Sequence, residues 1–79
     1  MNAIEDYLAR LLTTRFGLAA EDLDVNTTFA ELEIDSISLV ELAVISGDDF
    51  GISLGGDELT KDHTVRTAAE LLAGKGARV

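Results

Sequence analysis

No cysteine occurs in the 79-residue chain, so neither a disulfide nor a thiolate metal site is available to it. Proline is also missing, which removes the strongest helix breaker. No apolar run approaches the roughly 18 residues that a membrane-spanning helix needs. The first ten residues, MNAIEDYLAR, carry acids where a secretory leader has a basic stretch. Positive charge is absent from a whole segment: between Phe16 and Thr60 there is no lysine or arginine, while Glu21, Asp22, Asp24, Glu31, Glu33, Asp35, Glu41, Asp48, Asp49, Asp57 and Glu58 all fall within it. With a net charge of −9, such a surface repels a phosphate backbone and argues against nucleic-acid binding. It suits solubility, and it also suits steering toward basic partners. The expectation is a soluble, cytoplasmic monomer without membrane attachment, a single domain over 1–79. Met1 and the short tails point to a complete protein rather than an excised domain.

What is present reads as helix. Ile4, Leu8, Leu11, Leu12 and Phe16 form a helical stripe, opened by Asn2 and Glu5 in capping-box spacing and ended by Gly17. From Gly17 to Asp35 the periodicity fails and a long loop is expected, pinned by Leu18, Leu23, Val25, Phe29 and Leu32. A second helix should run from about Asp35 toward Phe50, capped by Asp35 and carrying Ile37, Val40, Val44 and Leu39, Leu42, Ile45. Gly47 predicts fraying or a kink near its end. The alternation in FGISLGGDELT resembles a strand but has no partner strand, so it reads as loop, followed by a short helical turn around Asp57–Lys61. Thr64 should cap a last helix ending near Gly74. The predicted fold is all-α: a small antiparallel four-helix bundle, three main helices plus one short helix, with a long loop after the first helix.

Enzymatic chemistry finds little support. The sole histidine, His63, lies beside a helix cap, no lysine is near Ser36 in sequence, and no large pocket is implied that would desolvate paired carboxylates. One metal pattern stands as an alternative. Asp22, Asp24, Asn26 and Glu33 occupy positions 1, 3, 5 and 12 of a helix–loop–helix calcium loop. Thr27 stands where that loop wants glycine, and no second such loop exists to pair with it.

Ser36 is the other candidate. With Asp35 as cap, it occupies the first helical position and need not serve the core. A phosphodiester there would sit at the positive end of the helix dipole, favoured by about 0.3–1 kcal/mol. At this point FAELEIDSI, Phe29 to Ile37, resembles the F-x-x-L-G-x-D-S-L signature of the acyl carrier proteins. The resemblance continues through Val40–Leu42, Phe50–Ile52 and Thr64–Val65, over nearly the whole chain. It implies a non-catalytic carrier with 4′-phosphopantetheine on Ser36, transferred from coenzyme A by a phosphopantetheinyl transferase. The arm's thiol would hold acyl groups as thioesters and deliver them to ketosynthase, acyltransferase and other synthase enzymes with basic patches. It further implies partner contacts at Glu41, Asp48, Asp49, Ile37 and Val40, and an acyl pocket lined by Val40, Val44, Leu59 and Ala68. Glu33 in place of glycine, Ile37 in place of leucine, Ser38 at a position often acidic and Gly47 depart from the family pattern. They favour a carrier of polyketide or related specialised biosynthesis over a fatty-acid synthase carrier. Aspartate before the serine argues against a peptidyl carrier. A cofactor-free interaction module with Ser36 unmodified would fold identically.

Overall fold

The computed structural model describes residues 2–78. Three helices build it: α1 (Ala3–Arg15), α2 (Ser36–Phe50) and α3 (Val65–Gly74), with a single 3-10 turn at Ala20–Asp22 inside the first long loop. Each helix begins at a side-chain cap. Asn2 and Glu5 bond each other's backbone N–H at 2.8 Å, both arms of the capping box. Asp35 caps α2 and Thr64 caps α3, the latter with Thr67 answering as the reciprocal partner.

The core is continuous. Leu8, Leu11 and Leu12 of α1, Leu39, Leu42 and Ala43 of α2, and Val65, Ala68, Ala69 and Leu72 of α3 converge on Phe29, Ile34 and Leu59 from the loops. Leu8, Leu12, Phe29, Leu42 and Leu72 are wholly buried, and each such side chain adds about 1.5–3 kcal/mol of hydrophobic stabilisation. Tyr7 stands edge-on to Phe50, centroids 4.6 Å apart, and donates its hydroxyl hydrogen bond to Asp49. Burial, then the Asp49 carboxylate, raises the Tyr7 pKa well above the usual tyrosine value. This contact ties α1 to the last turn of α2.

Two local expectations change. Gly47 does not end or fray α2, which runs on to Phe50. A Cβ at Gly47 would lie 3.2 Å from the Ile52 carbonyl and 3.6 Å from the Leu54 Cβ. Glycine is there because the returning chain presses on the helix, and Ile52 N–H bonds the Gly47 carbonyl at 3.0 Å. Asp57–Lys61 forms turns and bends rather than helix, so the short helical element of the bundle is Ala20–Asp22 instead. The backbone at the end of that stretch bonds the first long loop. The Lys61 and His63 carbonyls accept from Ala30 and Phe29 N–H groups at 3.0 and 2.8 Å, which staples the two long loops together. Next to these, Thr28 and Thr64 form one isolated antiparallel bridge. Among the described residues no helix is long and apolar enough to cross a membrane.

Candidate functional site

Residues 28–36 make the site, and each has a mechanical task. Thr28 and Glu31 hold a tight turn: the Glu31 N–H donates to the Thr28 hydroxyl at 3.1 Å and the Thr28 N–H to the Glu31 carboxylate at 3.3 Å. Phe29 plunges into the core and anchors that turn. Glu33 N–H then bonds the Ala30 carbonyl, and Ile34 N–H the Phe29 carbonyl, both at 3.0 Å, the paired bonds of a Schellman closure. Glu33 takes the left-handed conformation this closure demands, φ +60°, alone among the described non-glycine residues. That is the physical meaning of the signature's glycine. Ile34 returns to the core, and Asp35 is delivered at the helix start.

The Asp35 carboxylate accepts from the Ser38 N–H at 2.7 Å. Those bonds from Ser38, with the charge of Lys61 helping, hold its pKa below the usual aspartate value. Capping is therefore done by Asp35 and not by Ser36, which stands exposed at the first position of α2. Ser36 opens onto a groove of about 390 Å³ lined by Leu39, Val40, Gly56, Asp57, Leu59, Thr60 and Lys61. Lys61 lies 25 residues from the serine in sequence, yet the α2–α3 loop carries it to the same groove. An anion on Ser36 would sit at the positive end of the α2 dipole with Lys61 lining the same groove, while a chain beyond it would meet mostly apolar wall. The residues present fit a phosphodiester-linked arm.

The remaining candidates divide. Ile37 (71% exposed), Val40 (45%) and Val44 (53%) form an outward apolar stripe, with Glu41 and Asp48 exposed at matching helical spacing. Asp49 is exposed too, but it lies off that stripe and is engaged by Tyr7. Of the four expected pocket residues, Val40 and Leu59 line the groove, Val44 faces outward, and Ala68 is wholly buried in the core. The calcium set is not assembled. The Asp24 carboxylate accepts from the Asn26 N–H at 2.8 Å, closing a local turn, and among the described residues no three acidic or histidine side chains gather as a metal site. Thr60 N–H donates to His63 Nδ1 at 3.0 Å, so the histidine holds the loop and is not part of the Ser36 groove.

A helical bundle with an exposed, uncapping serine at a helix start beside an apolar groove suits a carrier domain. Residues 6–72 match the family described as phosphopantetheine attachment site. The chain is 32% identical over 71 residues to an acyl carrier protein of Arthrobacter sp. (strain FB24), which covers 89% of this chain and 88% of the relative. It is 36% identical over 64 residues to an acyl carrier protein of Thermobifida fusca (strain YX), covering 80% and 81%. One from Nitratidesulfovibrio vulgaris (strain DP4) is 26% identical over 74 residues, covering 92% and 97%. The chain belongs to the acyl carrier protein family, whose prosthetic group is phosphopantetheine and whose members are non-catalytic carriers.

Proposed function

We propose that Ser36 is the residue that receives the phosphopantetheine, and that the chain tethers acyl intermediates there and hands them to synthase enzymes. The observation that carries this is the division of labour at the start of α2. Asp35 satisfies the helix end, so the Ser36 hydroxyl stays exposed for modification. When attached, the arm supplies a thiol that holds the acyl group as a thioester. The protein's own contribution is placement. The positive end of the α2 dipole and Lys61 would favour the phosphodiester charge, while Leu39, Val40, Gly56 and Leu59 would offer apolar wall to the chain. Incubation with coenzyme A and a phosphopantetheinyl transferase should add one phosphopantetheine to the intact mass, and Ser36→Ala should show no gain. A gain that survives Ser36→Ala would place the attachment elsewhere.

The stripe Ile37, Val40, Glu41, Val44 and Asp48 is the surface we assign to ketosynthase, acyltransferase and other synthase partners. It joins exposed apolar area to one-signed charge, which favours a basic patch surrounding an apolar recess. Such work belongs in the cytoplasm, where coenzyme A and the synthases are found. The departures at Glu33, Ile37, Ser38 and Gly47 support polyketide or related specialised biosynthesis over fatty-acid synthesis. Glu41→Lys should slow association with a polyketide ketosynthase and flatten its salt dependence, and the unaltered protein should bind that enzyme more tightly than a fatty-acid ketosynthase. Equal affinity for the two enzymes would remove the pathway assignment, and a salt response unchanged by Glu41→Lys would remove the electrostatic one.

A further inference from the structure

Ser36 stands on an acidic part of the chain. Glu33 and Asp35 precede it, Asp57 lines its groove, and the segment between Phe16 and Thr60 has no lysine or arginine. Coenzyme A, the donor of the arm, is itself a polyanion, so like charges oppose its approach. One cation stands against this: Lys61 is the basic residue that lines the Ser36 groove. Its backbone is tied to the turn that delivers the serine, since Ala30 N–H donates to the Lys61 carbonyl at 3.0 Å. Its charge also reaches the site. Behind the bonds from Ser38, Lys61 is a lesser cause of the lowered Asp35 pKa. Two other cations have partners within the fold. Lys75 Nζ pairs with the Glu58 carboxylate at 2.6 Å, and Arg66 Nε lies 3.8 Å from that of Glu5. Among the described residues Lys61 has no such carboxylate partner, and it is exposed. Its ammonium is therefore available to an incoming anion.

We infer that Lys61 is this carrier's own binding group for the anionic diphosphate of coenzyme A, a charge that the protein being modified lends to the transferase's reaction. The inference rests on the reading above that Ser36 receives the arm. In the transfer, Ser36 Oγ attacks the phosphorus on the pantetheine side of the diphosphate. The new O–P bond replaces the bridging P–O bond, and adenosine 3′,5′-bisphosphate leaves with that electron pair. The hydroxyl proton passes to a base of the transferase. An ammonium in the same groove offsets the repulsion of Asp35 and Asp57 as the donor binds, and it opposes the charge gathering on the leaving oxygen. Lysine suits this task, being a compact point charge on a flexible stem.

The test is steady-state kinetics of a phosphopantetheinyl transferase on the full chain, with coenzyme A and the carrier varied in turn. Lys61→Met should lower kcat/KM for coenzyme A roughly tenfold, the lower end for a hydrogen bond to a charged group, since Lys61 is exposed. The KM for the carrier and its Tm should stay as they were. Lys61→Arg should keep most of the rate, and the loss in Lys61→Met should shrink as salt rises. Lys61→Gln serves in its place if the methionine variant does not fold. A loss confined to the KM for the carrier would overturn the inference, because Lys61 would then be docking to the transferase. Equal rates for Lys61→Met and the unaltered protein, or an arginine variant as slow as the methionine one, would overturn it too. Each of these results leaves Ser36 as the attachment site. A mass gain that survives Ser36→Ala would instead remove the reading on which the inference rests.

Discussion

Helix α2 is bounded on both sides by the same kind of chain reversal, built from different residues. After α2, Gly51 N–H bonds the Asp48 carbonyl and Ile52 N–H the Gly47 carbonyl, with Gly51 at φ +64°. Before α2, Glu33 N–H bonds the Ala30 carbonyl and Ile34 N–H the Phe29 carbonyl, with Glu33 at φ +60°. The hydrogen-bond pattern and the torsion angle coincide; the side chain does not. Glycine adopts the left-handed region freely, whereas any other L-residue is strained there by about 1–2 kcal/mol. The closing reversal is relaxed, and the opening one, three residues before Ser36, stores strain. What over-determines Glu33 is its setting: Phe29 and Ile34 are both buried, so the loop cannot relax without withdrawing one of them from the core.

Substitution can equalise the two reversals from either side. The larger effect is expected at Gly51→Ala. A Cβ there would touch nothing within 4 Å, so the penalty is torsional, about 1–2 kcal/mol, a fall in Tm of several degrees. Gly51→Asn should cost less than Gly51→Ala, because asparagine tolerates the left-handed region. Equal losses would show that the torsion angle is not the cause. At the opening reversal Glu33→Gly should raise stability by about 0.5–1 kcal/mol, the relieved strain less the extra freedom glycine gives the unfolded chain. Chemical denaturation of both variants checks the signs. Destabilisation by Glu33→Gly would mean that the Glu33 side chain gives back more than its backbone costs.

That same residue marks the limit of what the sequence discloses. The starts of the helices were readable, because Asn2, Asp35 and Thr64 are side chains whose oxygens do the capping. With Asp35 as the cap, Ser36 is left spare at the exposed first position of α2. Glutamate at 33 carries no mark of a positive φ, and only its place in the signature hints at one. Gly47 misled because its reason is tertiary, the approach of Ile52 and Leu54, while local propensity speaks only of a weakened helix. Local pattern reads helix at 57–61, but the Lys61 carbonyl and that of His63 just beyond are claimed by Ala30 and Phe29, some thirty residues away. Helix α2 is apolar on two stripes, 37–40–44 and 39–42–43, and periodicity alone does not say which faces water. Lys61 reaches the Ser36 groove through the same long-range staple, which no local pattern announces.

The smallest expected effect separates the two ends of α2 by charge. The opening reversal is followed by an ionised cap, Asp35 on Ser38, whereas the closing reversal itself is made of backbone bonds and a glycine. The folded pKa of Asp35 is lowered, first by its hydrogen bonds from Ser38, relative to an ordinary 3.8. A lowered carboxylate pKa contributes stability that is fully present above the unfolded value and is lost as pH falls through the folded one. Acidification below about pH 4 should therefore loosen the start of α2 before its end. In amide NMR spectra the Ser38 N–H should titrate with Asp35, while the Ile52 N–H, bonded to the Gly47 carbonyl, should not follow it. Asp35→Asn keeps a capping oxygen but no charge, so the Ser38 response should vanish in that variant. If Ser38 and Ile52 moved together in the unaltered protein, acid would be melting the helix as a unit, and the difference between its two ends would be one of torsion angle alone.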